Sequence, residues 1–175
     1  YLNFNYFGDE KDTFFKSINQ VQPGSYGFFK NNQLMIRKIK KKFYLKKNFK
    51  REIHKIILNE VNKHLISDVD IGILISDGVD SRSLLDLTYI LTKKKLKMFN
   101  LTFESFDNSI FERIYNKFTR RDLIKTKFYK REFFSTLNSI SKIYESPPLS
   151  LFSLGMHKMF EKIKRKKIKV VLTGQ

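Results

Sequence analysis

The 175 residues include no cysteine, only 3 prolines and 7 glycines, and 17 acidic side chains against 35 basic ones. Without cysteine there is neither a disulfide framework nor a thiolate zinc site. No apolar run approaches the roughly 20 residues of a membrane span. Tyr1 to Glu10 lacks the basic-then-apolar order of a secretory signal. What is present is a hydrophobic fraction of 41% and 18 phenylalanines, enough apolar surface to argue against disorder. The length suits one domain with a real core, since single domains commonly run about 100–200 residues. A cytoplasmic globular protein is expected.

The shortage of acid gives a net charge of +18, which raises the question of a nucleic acid or an acidic membrane as partner. Lys38 to Lys42 with Lys46, Lys47, Lys50 and Arg51 form one cluster. Similar excesses recur at Lys93 to Lys97, at Arg120-Arg121 with Lys125 and Lys127, and at Lys162 to Lys169. These fall in stretches that read as helix faces or turns. Together with abundant Asn and Ile and few Gly or Pro, they read as lysine filling solvated surfaces under AT-rich coding. Neither a nucleic acid nor a membrane is expected as partner.

The most informative stretch is Ile71-Gly72-Ile73-Leu74-Ile75-Ser76-Asp77-Gly78-Val79-Asp80-Ser81. Its apolar half supplies both faces of a buried strand. Its polar half offers hydroxyls and backbone N–H groups in a tight turn. Leu84, Leu85, Leu87, Thr88 and Leu91 then recur as in a helix, whose N-terminus would face that turn and attract an anion through unpaired N–H groups and its dipole. Read alone, Ser76 and Ser81 also suit an ordinary turn and cap, and Asp80 a helix cap.

The turn resembles the PP-loop signature Ser-Gly-Gly-x-Asp-Ser of the ATP pyrophosphatases. Ser76, Gly78, Asp80 and Ser81 match, Val79 fills the free position, and Asp77 stands where the first glycine is usual. A carboxylate there adds bulk and negative charge near another anion. The flanks narrow the resemblance to glutamine-dependent asparagine synthetases. Thr13-Phe14-Phe15-Lys16-Ser17-Ile18 and Gln22-Pro23-Gly24-Ser25-Tyr26 are similar to the segments before that family's synthetase domain, and Leu65 to Gly72 to its lead-in. Met98 to Glu104 resembles its second strand, Glu145-Ser146-Pro147-Pro148 its Glu-x-Pro turn, and Lys169 to Gly174 its third nucleotide-facing strand.

The resemblance implies an ATP-dependent ligase that adenylates the side-chain carboxylate of aspartate, or a related carboxylate, for attack by glutamine-derived ammonia. ATP and Mg²⁺ are the implied cofactors. Ser76, Gly78, Val79, Asp80 and Ser81 would hold the pyrophosphate portion, with Asp80 as the magnesium contact. Leu74, Ile75, Thr102, Phe103 and Gly174 would meet the nucleoside. Residues 1–45 are expected to be the tail of an N-terminal glutaminase-like domain and linker, and 46–175 a partial synthetase domain shortened at its C-terminal end. The glutaminase domain, with its catalytic cysteine, would belong to the parent chain, and a homodimer is compatible with the family. Two alternatives stand beside this reading: a catalytically impaired relative serving as a binding module, suggested by Asp77, and a basic RNA-acting PP-loop enzyme similar to tRNA-lysidine synthetase, suggested by the charge.

The expected fold is α/β, a parallel sheet with helices on both faces preceded by a short β-rich segment. The pattern predicts a helix carrying Ile53, Ile56, Ile57, Val61 and Leu65, then the strand at Ile71 and the loop helix. Further on it predicts a strand over 97–103, a helix near 109–118, a short strand at 127–129, helices over 132–144 and 151–163, and a strand over 169–172. His54, His64 and His157 lack metal-ligand spacing and carry no assigned role. Arg82 and Glu145 are secondary candidates for touching phosphate or substrate.

Overall fold

The computed structural model describes residues 11–40, 49–92, 96–105, 123–144, 147–148 and 150–174. The chain divides into two compact units, Tyr1–Lys47 and Asn48–Gln175.

In the first unit, β1 (Ser25–Lys30) and β2 (Gln33–Lys38) form an antiparallel hairpin in which Lys30 pairs with Gln33. The two turn residues, Asn31 and Asn32, both adopt positive φ (49° and 58°). That geometry matches the right-handed twist of the strands, and asparagine tolerates it better than most residues. Gly24, at φ 73°, bends the chain into β1. Tyr26, Phe29, Leu34 and Ile36 remain exposed within this unit.

The second unit is a four-stranded sheet of order β5-β4-β3-β6, with every pairing parallel. Its strands are β3 (Ile71–Leu74), β4 (Lys97–Phe103), β5 (Leu123–Phe128) and β6 (Val170–Leu172). Four helices accompany them among the described residues: α1 (Phe49–His64), α2 (Val79–Thr92), α3 (Phe133–Tyr144) and α4 (Leu151–Arg165). Parallel strands need crossovers, and the helices supply the apolar cover that a sheet buried on both faces requires.

Strand alternation separates two cores. On one face Ile71, Ile73, Ile75, Met98 and Leu172 pack with Leu85 of α2. On the other Phe99 packs with Met159 and Ile163 of α4 and with Ile168. A third cluster, Phe128, Ile140 and Leu154, joins α3 to α4 and β5. The expected α/β sheet with helices on both faces is thus the observed one. α1 departs from its simple amphipathic reading: Val61 is buried, but Ile53, Ile56 and Ile57 are 39–44% exposed on the described surface.

β4 coincides with the expected strand, while β5 begins four residues before the expected 127–129 and ends at Phe128. Lys125 and Lys127 conceal that strand in the sequence: both are exposed and alternate with buried Thr126 and Phe128, a pattern an edge strand tolerates. The expected helix from 132 opens instead as a 3₁₀ turn, Lys130–Glu132. The helix expected near 109–118 and the turn residues Glu145 and Ser146 lie outside the described residues.

Gly72 allows the central strand to lie under the aromatic core. A Cβ there would sit 2.8 Å from Phe99 Cε2 and 3.2 Å from Ile168 Cγ2. Gly72→Ala is expected to cost about 1–3 kcal/mol through overpacking, read as a lower urea midpoint at unchanged slope.

Candidate functional site

β3 carries its pairing one residue past its end, through Ile75 N–H donating to Phe99 O at 2.9 Å. The Asn100 side-chain amide donates to Ile75 O at 3.0 Å, fixing the strand exit from the neighbouring strand. The chain then turns through Ser76, Asp77 and Gly78 and enters α2 at Val79.

This turn is tied by two hydroxyls. Gly78 N–H donates to Ser76 Oγ at 3.2 Å. Ser76 N–H donates to Ser81 Oγ at 3.1 Å, and the two Oγ atoms lie 2.9 Å apart. The Ser81 hydroxyl also lies 3.1 Å from both Ser76 O and Gly78 O, acceptors between which its single proton is shared. Ser81 is buried on the first turn of α2. The strand end and the helix start therefore act as one piece, with the helix N-terminus facing outward from the carboxyl end of the sheet. A helix N-terminus so placed is an anion site.

β6 closes the other side. A Cβ on Gly174 would fall 2.8 Å from Ser81 N and 2.9 Å from Asp80 C, so only glycine lets this backbone lie against the first turn of α2.

Between these elements is a cavity of about 180 Å³. Its polar side is Ser76, Gly78, Asp80, Ser81, Thr173 and Gly174, and its apolar side is Leu74, Ile75, Leu101, Phe152, Met156 and Met159. It is smaller than the roughly 300–1,000 Å³ of sites that enclose a whole ligand, so it has room for only part of one. One wall suits a phosphate and the other a flat apolar ring.

Of the residues expected from sequence, Leu74, Ile75, Ser76, Gly78, Asp80, Ser81 and Gly174 come together here. Val79 is 73% exposed at the start of α2 and stands outside the lining. Thr102 and Phe103 are also outside it: the Thr102 hydroxyl reaches Thr126 O at 3.4 Å, and Phe103 lines a second cavity. Leu101 occupies the wall instead, because alternation along β4 turns 101 and 103 to the α4 face and 102 away. Phe152, Met156 and Met159 were not singled out from sequence, although their helical spacing is a readable apolar stripe.

Asp77 is exposed and does not line the cavity, nor does Arg82. No lysine or arginine is among the described lining residues. The described lining thus holds none of the large positive charge, and an anion there would be met by backbone N–H groups and the helix dipole. For a divalent cation, the described residues contain no group of three or more His, Asp or Glu side chains. Asp80 is the single carboxylate of the lining. That donor set fits Mg²⁺ only as an ion bound chiefly by phosphate oxygens and water.

The model of the asparagine synthase family matches residues 52–175. The chain belongs to the asparagine synthase family. This is an ATP-dependent family of amide-forming ligases, and the match runs from α1 to beyond Gly174, taking in every residue of the cavity. A search of curated proteins finds no match.

In this family member the wall helix α4 is fastened by Lys158. Its ammonium bonds both Glu132 carboxylate oxygens, one at 2.7 Å, and Lys127 O at 2.9 Å, and stands 5.3 Å from the Tyr129 ring. One turn later Lys162 donates to Lys125 O at 2.6 Å. Both acceptors are carbonyls of edge strand β5, otherwise open to another chain. Partial burial raises the Glu132 pKa, but hydrogen bonds from Lys158 and from Tyr129 N–H, with the charges of Lys158 and Arg131, outweigh it and hold the carboxyl below its ordinary 4.5. A depressed carboxyl stabilises the fold above its unfolded value and loses that contribution as pH falls through the folded value. Acid titration of stability should therefore show a loss starting below about pH 4.5, and Glu132→Gln should remove that component of the slope.

Gly174→Ala should displace the first turn of α2 from β6, with a cost of about 1–3 kcal/mol. Amide exchange that speeds up at 76–81 more than at 97–103 is the signature expected of it, and uniform acceleration is not.

Proposed function

We propose that this chain carries the ATP-binding part of a ligase that activates a carboxylate, aspartate or a related acid, as its adenylate for conversion to an amide. The observation that carries the reading is the Ser76–Ser81 turn, locked by the Ser81 hydroxyl at the carboxyl end of the central strand. Ligands of open parallel sheets sit at that end, outside the strands.

The chemistry asked of the site is positional and electrostatic. A carboxylate oxygen attacks the α-phosphorus, the bond from that phosphorus to the bridging oxygen breaks, and pyrophosphate leaves with the electron pair. Ammonia then attacks the acyl carbon and AMP departs, leaving the amide and a proton. The N–H groups of the 76–81 turn and of the α2 N-terminus are assigned to the phosphate that gains charge, where preorganised donors stabilise the transition state most. The wall of Leu74, Leu101, Phe152 and Met156 is assigned to the base and ribose, excluding water from one side. Asp80 is assigned to Mg²⁺, which when bound would offset the charge of the leaving pyrophosphate. Residues 1–45 are assigned to the end of a glutaminase-like domain and its linker.

The exposed setting of Asp77 weighs against the impaired-relative alternative, since its carboxylate stands apart from the cavity lining. Among the described residues no cation lines the cavity, which detaches the +18 charge from the site and weighs against a basic RNA enzyme built around it.

The test is carboxylate-dependent exchange of labelled pyrophosphate into ATP by the full-length protein. Exchange is expected, with Asp80→Asn lowering it about ten-fold or more, in line with losing one charge-stabilising contact. A full-length protein that binds ATP but exchanges no pyrophosphate with any acid would show a binding module instead.

A further inference from the structure

Two buried side-chain atoms have no hydrogen-bond partner among the described residues, Asn100 Oδ1 and Thr126 Oγ1. Both side chains are almost fully enclosed, Asn100 at 3% exposure and Thr126 at 0%. An acceptor left unpaired in such a place lowers stability, and an apolar residue of similar size avoids that cost. Thr126 stands on the edge strand β5, two strands away from β3. Asn100 differs, because the nitrogen of the same amide is bonded to the strand that leads into the site.

That bond acts through one peptide plane. Ile75 C=O and Ser76 N–H belong to the same planar unit, whose two ends turn together. The carbonyl accepts from Asn100 Nδ2 at 3.0 Å, while the N–H donates to Ser81 Oγ at 3.1 Å. The plane is thus pinned from β4 at one end and from the first turn of α2 at the other. Ile75 N–H stays on the sheet through Phe99 O at 2.9 Å, whereas Ile75 O is taken by a side chain. The amide cannot be turned around to satisfy its oxygen, since that would set Oδ1 against the Ile75 carbonyl, two acceptors with no proton between them. The unpaired oxygen follows from the bond that holds the loop.

We propose that Asn100 is a positioning residue for the nucleotide site: it sets the orientation of the 75–76 peptide, and with it the Ser76–Ser81 turn, at a cost in stability. Its nucleotide half rests on the ATP-binding reading above, and its loop half on geometry alone. Asn100 is not among the lining residues of the cavity, so it acts through Ile75 and Ser76, which are. With an apolar side chain at 100, Ile75 O finds a donor only by turning toward water. Ser76 N–H then swings away from Ser81, and the donors of the turn lose the preorganisation that favours an anion. The same substitution removes the unpaired oxygen from the core, so stability and nucleotide affinity move in opposite directions.

The test is Asn100→Leu in the full-length protein, with Asn100→Val in its place should leucine overfill the site. Three readouts are compared with wild type: the urea midpoint, amide exchange without nucleotide, and calorimetric affinity for ATP with Mg²⁺. The expected result is a midpoint equal to or above wild type and faster exchange at 76–81 with 123–128 unchanged. ATP binding should weaken about five-fold, the loss of one ordinary hydrogen bond from the bound state. Thr126→Val should raise the midpoint and leave loop exchange and ATP affinity as they are. A midpoint below wild type, uniform acceleration of exchange, or unchanged exchange at 76–81 overturns the inference. So does unchanged affinity in a protein that binds ATP, or an equal loss of affinity in Thr126→Val. If wild type binds no ATP and the loop alone still loosens, the positioning role stands and the nucleotide reading falls.

Discussion

The Ser81 hydroxyl is the point on which the site depends. It accepts from Ser76 N–H and faces Ser76 O and Gly78 O, so a strand end, a turn and a helix start are held by one buried side chain. These hydrogen bonds are part-buried around the buried Ser81, and removing its hydroxyl would take away the one group that ties Ser76 to the first turn of α2. Everything placed around the turn follows from this fixed point. Gly174 lies against it from β6, Asn100 holds its entrance from β4, and the N-terminus of α2 is aimed by it.

The site divides its work between backbone and apolar side chains, leaving surface charge aside. The described lining contains a single ionisable group, Asp80. A phosphate chain would be met by N–H dipoles that need no reorganisation, and its counter-charge would come from a metal ion and not from lysine. The lysines that do have a structural task are elsewhere: Lys158 and Lys162 cover the edge carbonyls of β5 and so hold the helix bearing Phe152, Met156 and Met159. A strongly basic composition is thus compatible with a pocket that has no basic residue among those described.

The strand at Ile71 and the turn after it were legible because a run apolar on both faces followed by Ser, Gly and Asp has few other readings. The seven expected residues gathered in the cavity lie on β3, on the loop after it, in the first turn of α2 or just past β6, and most of these are neighbours in chain order. Thr102 stands outside the lining because its parity turns it to the other face of the sheet, while Phe103 shares the face of Leu101 but lies two residues further along β4, against the second cavity; local sequence sets neither. β5 was half hidden because lysines at 125 and 127 mimic a solvated loop. Phe152, Met156 and Met159 were readable as one face of a helix, but not as a wall of this site, since nothing local says which strand that helix covers.

ATP binding at the loop between β3 and α2 would shield the backbone N–H groups of that loop from solvent. Amide hydrogen exchange of the full-length protein, with and without ATP and Mg²⁺, tests it most directly. New protection is expected at residues 76–82 and 172–174, with a smaller effect along 152–159. Protection confined to other segments while ATP is bound would contradict it.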